Sequence, residues 1–137
     1  MEFQMTFKRA TVFDKGLQRP ARVGDGMLAF LSKSAITADA ASTITAAMIQ
    51  GGLILRSGAT AGRIDTTDTA ALILAALPEM DIGDTYLFAV SNTSTQTITL
   101  AGGTDVTESG NLDIPTLTCK WVVLEKTSAT TMNMIAL

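Results

Sequence analysis

From Asp81 to its end the chain is interrupted by turn-forming clusters at intervals of about ten residues, a spacing that permits strands but not long helices. Asp81-Ile82-Gly83-Asp84, Ser91-Asn92-Thr93-Ser94, Gly102-Gly103 and Ser109-Gly110-Asn111 are the breaks. Between them lie Thr85 to Val90, Gln96 to Leu100, Val106 to Glu108, Thr116 to Glu125 and Met132 to Ala136, rich in β-branched and aromatic residues. Met27 to Leu31, Ser42 to Thr45 and Leu53 to Arg56 extend the series upstream. Threonine recurs on these runs, as suits a pleated, half-exposed surface. The pattern predicts a mainly β chain, a β-sandwich or jelly-roll-like barrel over residues 27–137, preceded by an N-terminal arm over residues 1–26.

One helix is expected, over about residues 68–77. Thr66, Thr67 and Asp68 offer N-cap oxygens, Ala70 to Leu77 favour helix, and Pro78 stops it. Ala46 to Gln50 reads as a turn or a single helical turn, and Ala59 to Thr67 as a polar loop. Gly51-Gly52 and Gly102-Gly103 lie between strands, where positive φ is expected. A helix this short and apolar nearly all round must be held between packed surfaces.

Two strands carry apolar residues on both faces. Leu87 and Ala89 oppose Tyr86, Phe88 and Val90; Val122 and Leu124 oppose Leu117, Cys119, Trp121 and Val123, the set read as inward. A sandwich strand ordinarily keeps one wet face, so the second face is expected against the helix or another subunit. Composition agrees: hydrophobic residues are 47% and charged residues 17%, against about a quarter charged in ordinary globular domains. The longest apolar run, Ala70 to Leu77, is far short of the roughly 20 residues that span a membrane, so no membrane partner is expected. Met1 to Arg9 has no apolar core of a signal peptide, and synthesis in a cytoplasm is the expectation.

The chemistry is as informative. There is no histidine, which removes serine–histidine and cysteine–histidine nucleophilic arrangements and the commonest zinc ligand. The single cysteine, Cys119, is read as a buried core thiol. The carboxylate pairs Asp81/Asp84 and Asp105/Glu108 lie in or beside turns, where capping or solvation is the ordinary role. No phosphate-binding or dinucleotide glycine motif occurs. The expectation is a non-enzyme with no catalytic residues, cofactor or metal, and no small-molecule ligand. Net charge is −3, which speaks against nucleic acid, but Lys8, Arg9, Lys15, Arg19 and Arg22 give the arm a basic cast. Phe3, Met5 and Phe7 alternate with polar residues, as in a half-buried strand.

The stretch Gly51-Gly52-Leu53-Ile54-Leu55-Arg56-Ser57-Gly58-Ala59-Thr60-Ala61-Gly62-Arg63-Ile64-Asp65-Thr66-Thr67-Asp68-Thr69-Ala70-Ala71 resembles a small domain of tailed-phage virion proteins. In that group such a run leads into a short helix ending in Leu-Pro, a strand like Tyr86 to Asn92, and a hairpin like Thr97 to Gly103. The resemblance covers residues 36–137 and is to the head decoration (cement) and head fibre type. It implies a β-rich homotrimer on the capsid surface of a bacteriophage virion, with the major capsid protein as partner. The arm falls outside it; there Phe3, Met5 and Phe7 are expected as apolar anchors on the capsid, with Lys8 and Arg9 as charge contacts. Arg56 and Arg63 are expected to pair with Asp65 and Asp68 within or between subunits, and Leu87, Val122 and Leu124 to join the oligomer interface. The competing expectation is a tail or head fibre, or a receptor-binding domain holding host glycan, which the low aromatic content (5%) disfavours.

Overall fold

A computed structural model describes residues 31–137, of which Ser32–Leu137 form one compact unit. The chain is a mainly β, two-sheet sandwich. Strands β1 (Ser32–Ile36), β3 (Gly52–Arg56), β5 (Thr85–Asn92), β9 (Thr118–Lys126), β10 (Met132–Ala136) and β7 (Val106–Ser109) make, in that spatial order, a six-stranded sheet. Strands β2 (Thr43–Ile44), β4 (Arg63–Thr67), β6 (Ile98–Ala101) and β8 (Asp113–Ile114) make a four-stranded one. Two short helices complete the unit, α1 (Ala46–Gly51) and α2 (Ala70–Ala76).

The path alternates between sheets. β1 leads to β2 and α1, β3 leads to β4 and α2, and β5 leads to β6, so the first half stacks like coils of a solenoid. β1, β3 and β5 are consequently parallel neighbours, as are β2, β4 and β6. Parallel strands need a crossover between them, and each crossover here is made of one helix and one strand of the other sheet. From β5 onward the chain closes with antiparallel β9 and β10, while β7 joins the far edge parallel to β10.

The stacking has a sequence basis that strand-by-strand reading misses. Thr45-Ala46-Ala47-Met48-Ile49 and Thr69-Ala70-Ala71-Leu72-Ile73 are near copies, one per coil. Thr45 caps α1 by accepting from the Met48 amide (3.3 Å), and Thr69 caps α2 by accepting from the Leu72 amide (3.3 Å). Ile49 and Ile73 then drop into the core at equivalent places. Helices of six and seven residues do not persist alone; these two stand because each is capped and packed.

Several expectations change. The cap of the second helix is Thr69, one residue beyond the expected set, because Asp68 is used elsewhere. The expected polar loop at 59–67 contains β4, whose burial alternates with Asp65 and Thr67 inward; short polar side chains there serve hydrogen bonds that a sequence pattern does not display. The inward face of β9 is the reverse of the one expected. Val122 and Leu124 are fully buried, while Leu117, Cys119 and Trp121 are exposed and Val123 is half-buried. With apolar residues on both faces, alternation cannot choose the side; register against β5 and β10 does. Gly102 and Gly103 do not supply positive φ. They allow close approach: a Cβ on Gly103 would sit 2.4 Å from the Thr67 carbonyl oxygen, and one on Gly102 2.3 Å from that of Val106. Of the expected strand at 27–31 only Leu31 is described, and it belongs to no element.

The core lies between the sheets. Ile54, Phe88, Val90, Val122, Leu124, Met132 and Met134 come from the larger sheet, and Ile44, Leu100 and Ile114 from the smaller, with Ile49 and Ile73 from the helices. Each large aliphatic side chain buried this way contributes about 1.5–3 kcal/mol.

Candidate functional site

The most elaborate polar constellation is at one corner of the coils. Ile36, Arg56 and Asn92 are register partners at the ends of β1, β3 and β5, so they stack where each strand leaves the larger sheet. Arg56 and Asn92 are both fully buried. The Arg56 Nε donates to Asp65 Oδ2 at 2.6 Å. Its Nη1 donates to the carbonyls of Ala38 (2.8 Å) and Ser57 (2.6 Å), and its Nη2 to that of Ala40 (2.8 Å). Asp65 Oδ1 accepts from the Ser42 amide at 2.9 Å. One arginine and one aspartate on the second coil thus hold the β1–β2 connection of the first. A planar guanidinium with five donors can do this; an ammonium cannot.

Asn92 does the same one coil later. Its Nδ2 donates to the carbonyls of Gln96 (2.8 Å) and Ile114 (2.9 Å), and its Oδ1 accepts from the Ser94 amide (2.9 Å). Asp68 reaches back to the first coil, where Oδ2 accepts from the Ala46 amide at 2.7 Å. A carboxylate there satisfies a free donor of the first helical turn.

A second, exposed cluster lies nearby. Arg63 Nη2 donates to Asp39 Oδ1 at 2.9 Å. The Thr60 amide donates to the same carboxylate at 2.9 Å, and the Thr60 hydroxyl to its other oxygen. The Thr60 donors first, and the Arg63 guanidinium after them, hold the Asp39 carboxyl well below its ordinary range.

The expected interface residues therefore separate. Arg56, Asp65, Val122 and Leu124 are wholly buried inside one subunit and present no surface to a second, so an oligomer contact through them is withdrawn. Arg63 pairs with Asp39 rather than with Asp65 or Asp68. Leu87 alone of the set stands out from the sheet, 47% exposed. The expected capsid-docking residues Phe3, Met5, Phe7, Lys8 and Arg9 lie outside the described residues. Of the carboxylate pairs, Asp84 Oδ2 accepts from the Asp81 amide (2.9 Å), closing its own turn, and Glu108 Oε1 accepts from the Gly102 amide (2.6 Å). Among the described residues no group of three or more cysteine, aspartate or glutamate side chains is placed to hold a metal ion, and no helix is long and apolar enough to cross a membrane.

The outer face of the six-stranded sheet also carries exposed apolar side chains, Leu87 and Trp121 among them. Its side chains form rows across the strands. One row runs Lys33, Leu53, Ala89 and Trp121; the next runs Leu87, Val123, Ile135 and Ser109. Leu137 extends the first, its amide donating to the Trp121 carbonyl at 3.1 Å. At the margin, Leu117 is 81% exposed with φ of 58°, in a turn where the Thr118 hydroxyl donates to the Pro115 carbonyl at 2.7 Å. Sequence reading expected a second apolar face here and included Leu87 in it, but took the wrong side of β9, with Val122 and Leu124 outward and Trp121 in the core.

Comparison with protein-family models, curated proteins and solved structures finds no match.

Proposed function

We propose that this chain is a structural virion protein that binds the outer surface of a tailed-phage capsid and decorates or stabilises it as an oligomer. The observation that carries the reading is the division of labour among its side chains. The buried polar groups Arg56, Asp65 and Asn92, with the half-buried Asp68, are spent on fixing the chain's own backbone. The outer sheet face is left apolar, with Leu87 and Trp121 exposed among half-buried Leu53, Leu55, Val123 and Ile135. That combination suits a protein whose work is to hold a shape against other surfaces. The resemblance read from the Gly51 to Ala71 run and the residues after it, to the head decoration and head fibre type, is what supports naming a capsid, and the apolar arm residues Phe3, Met5 and Phe7 are the anchors proposed for it.

The test is co-sedimentation of the purified full chain with heads of the phage that encodes it. Saturable binding, lost when residues 2–9 are removed while the circular dichroism of the body is kept, is the expected result. Heads that bring down no protein at any concentration refute the reading.

A further inference from the structure

We infer that the outer face of the six-stranded sheet is a self-association surface, and that its occupant is a second copy of this chain in a twofold contact. Three features of the face point there. The first is its chemistry: Leu53, Leu55, Leu87, Trp121, Val123 and Ile135 form a continuous apolar centre over four adjacent strands. Trp121 is 44% exposed, although tryptophan is a residue that interfaces bury to most effect.

The second is size. Six strands at about 4.8 Å spacing make a face ~24 Å wide, and four side-chain rows make it ~20 Å tall. Its flat footprint is then on the order of 500 Å², a large part of the ~800 Å² per partner of a standard interface, with Leu87 and Trp121 standing out from it and Ala89 between them already covered.

The third is charge. Lys33 on β1 and Glu125 on β9 are the charged residues of this face among the described residues, one of each sign. They stand apart, Lys33 in the Trp121 row and Glu125 in a row with Thr85 and Asn133. In a twofold contact, where residue i meets j, j also meets i. A face with one lysine and one glutamate can thus neutralise both on its own copy, forming two cross-subunit pairs. A strongly acidic or basic partner surface has no such match.

The experiment is sedimentation equilibrium of the full chain over a wide concentration range, read together with the emission of Trp121, the single tryptophan. The expected result is twice the 14.4 kDa subunit mass, falling to one on dilution, with Trp121 emission shifting red in step. Leu87→Lys should raise the dissociation constant at least about 30-fold. Because Leu87 is exposed, the fold should survive. Lys33→Glu and Glu125→Lys should each weaken the dimer about tenfold, and the double exchange should restore it. A monomer at all concentrations overturns the inference, and a monomer with Trp121 already shielded assigns the face to the chain itself. A trimer, or a dimer indifferent to both the Leu87 change and the charge exchange, overturns it as well. A dimer that behaves as expected but leaves heads undecorated refutes the capsid reading and leaves the self-association standing.

Discussion

Replacing Arg56 by methionine keeps most of the side-chain volume and removes the charge and all the donors. The change leaves the Asp65 carboxylate buried with the Ser42 amide as its remaining donor, and strips the carbonyls of Ala38, Ala40 and Ser57 of their charged donor. Breaking one partner out of a buried ion pair costs about 3–5 kcal/mol. The three carbonyls are near enough to solvent that water can replace part of what they lose, so that range is the working figure. Against a total stability of about 5–15 kcal/mol this is a large share. At roughly 4 °C or more per kcal/mol for a domain of this size, the melting temperature should fall by ~12–20 °C. The assay is calorimetry alongside urea unfolding of wild type, Arg56→Met, Asp65→Leu and the double variant. The double variant should recover much of the loss, because the cost of a single change lies largely in the stranded charge. An Arg56→Met protein within about 1 kcal/mol of wild type would refute the reasoning, since that is how a solvated surface pair behaves.

Four further outcomes follow from the same structure. Gly58→Ala, with φ of 77° and a Cβ that would sit 2.2 Å from the Thr37 carbonyl oxygen, should destabilise well beyond the ~1–2 kcal/mol of a left-handed conformation alone; Gly83→Ala, with φ of 92° and open space, should cost only that, as paired urea melts would show. Thr45→Ala and Thr69→Ala should each cost about 1 kcal/mol, and in nearly equal measure if the two coils are true structural repeats. Cys119 is exposed, so a thiol reagent should modify the folded monomer at nearly the rate of the unfolded chain, with protection only as the protein associates. Asp39 has a depressed folded pKa, so its stabilisation is complete above the ordinary carboxylate value of ~3.9 and is lost as pH falls below it; Asp39→Asn should flatten the pH dependence of stability in that acid range and leave it unchanged near neutrality.

The sequence by itself determined that the chain is β-rich. Turn clusters and β-branched runs are local signals, and β5, β6, β9 and β10 fall where those signals put them. The short helix before Pro78 was legible for the same reason, and the absence of histidine closed off whole classes of chemistry without any coordinates. Tertiary structure decided what depends on partners distant in the chain. Parallel pairing of β1, β3 and β5 is invisible in any one strand, although the near copies at 45–49 and 69–73 carried its trace. The inward face of β9 was open to two readings because both faces are apolar, and only its register between β5 and β10 selected Val122 and Leu124. Arg56 shows the limit most plainly. The sequence offered Asp65 and Asp68 as its partners, within or between subunits, but gave no sign that the pair would be buried. Arg56 is buried because its carboxylate lies nine residues on and the Ala38 and Ala40 carbonyls 18 and 16 residues back, distances along the chain that only folding brings within 3 Å.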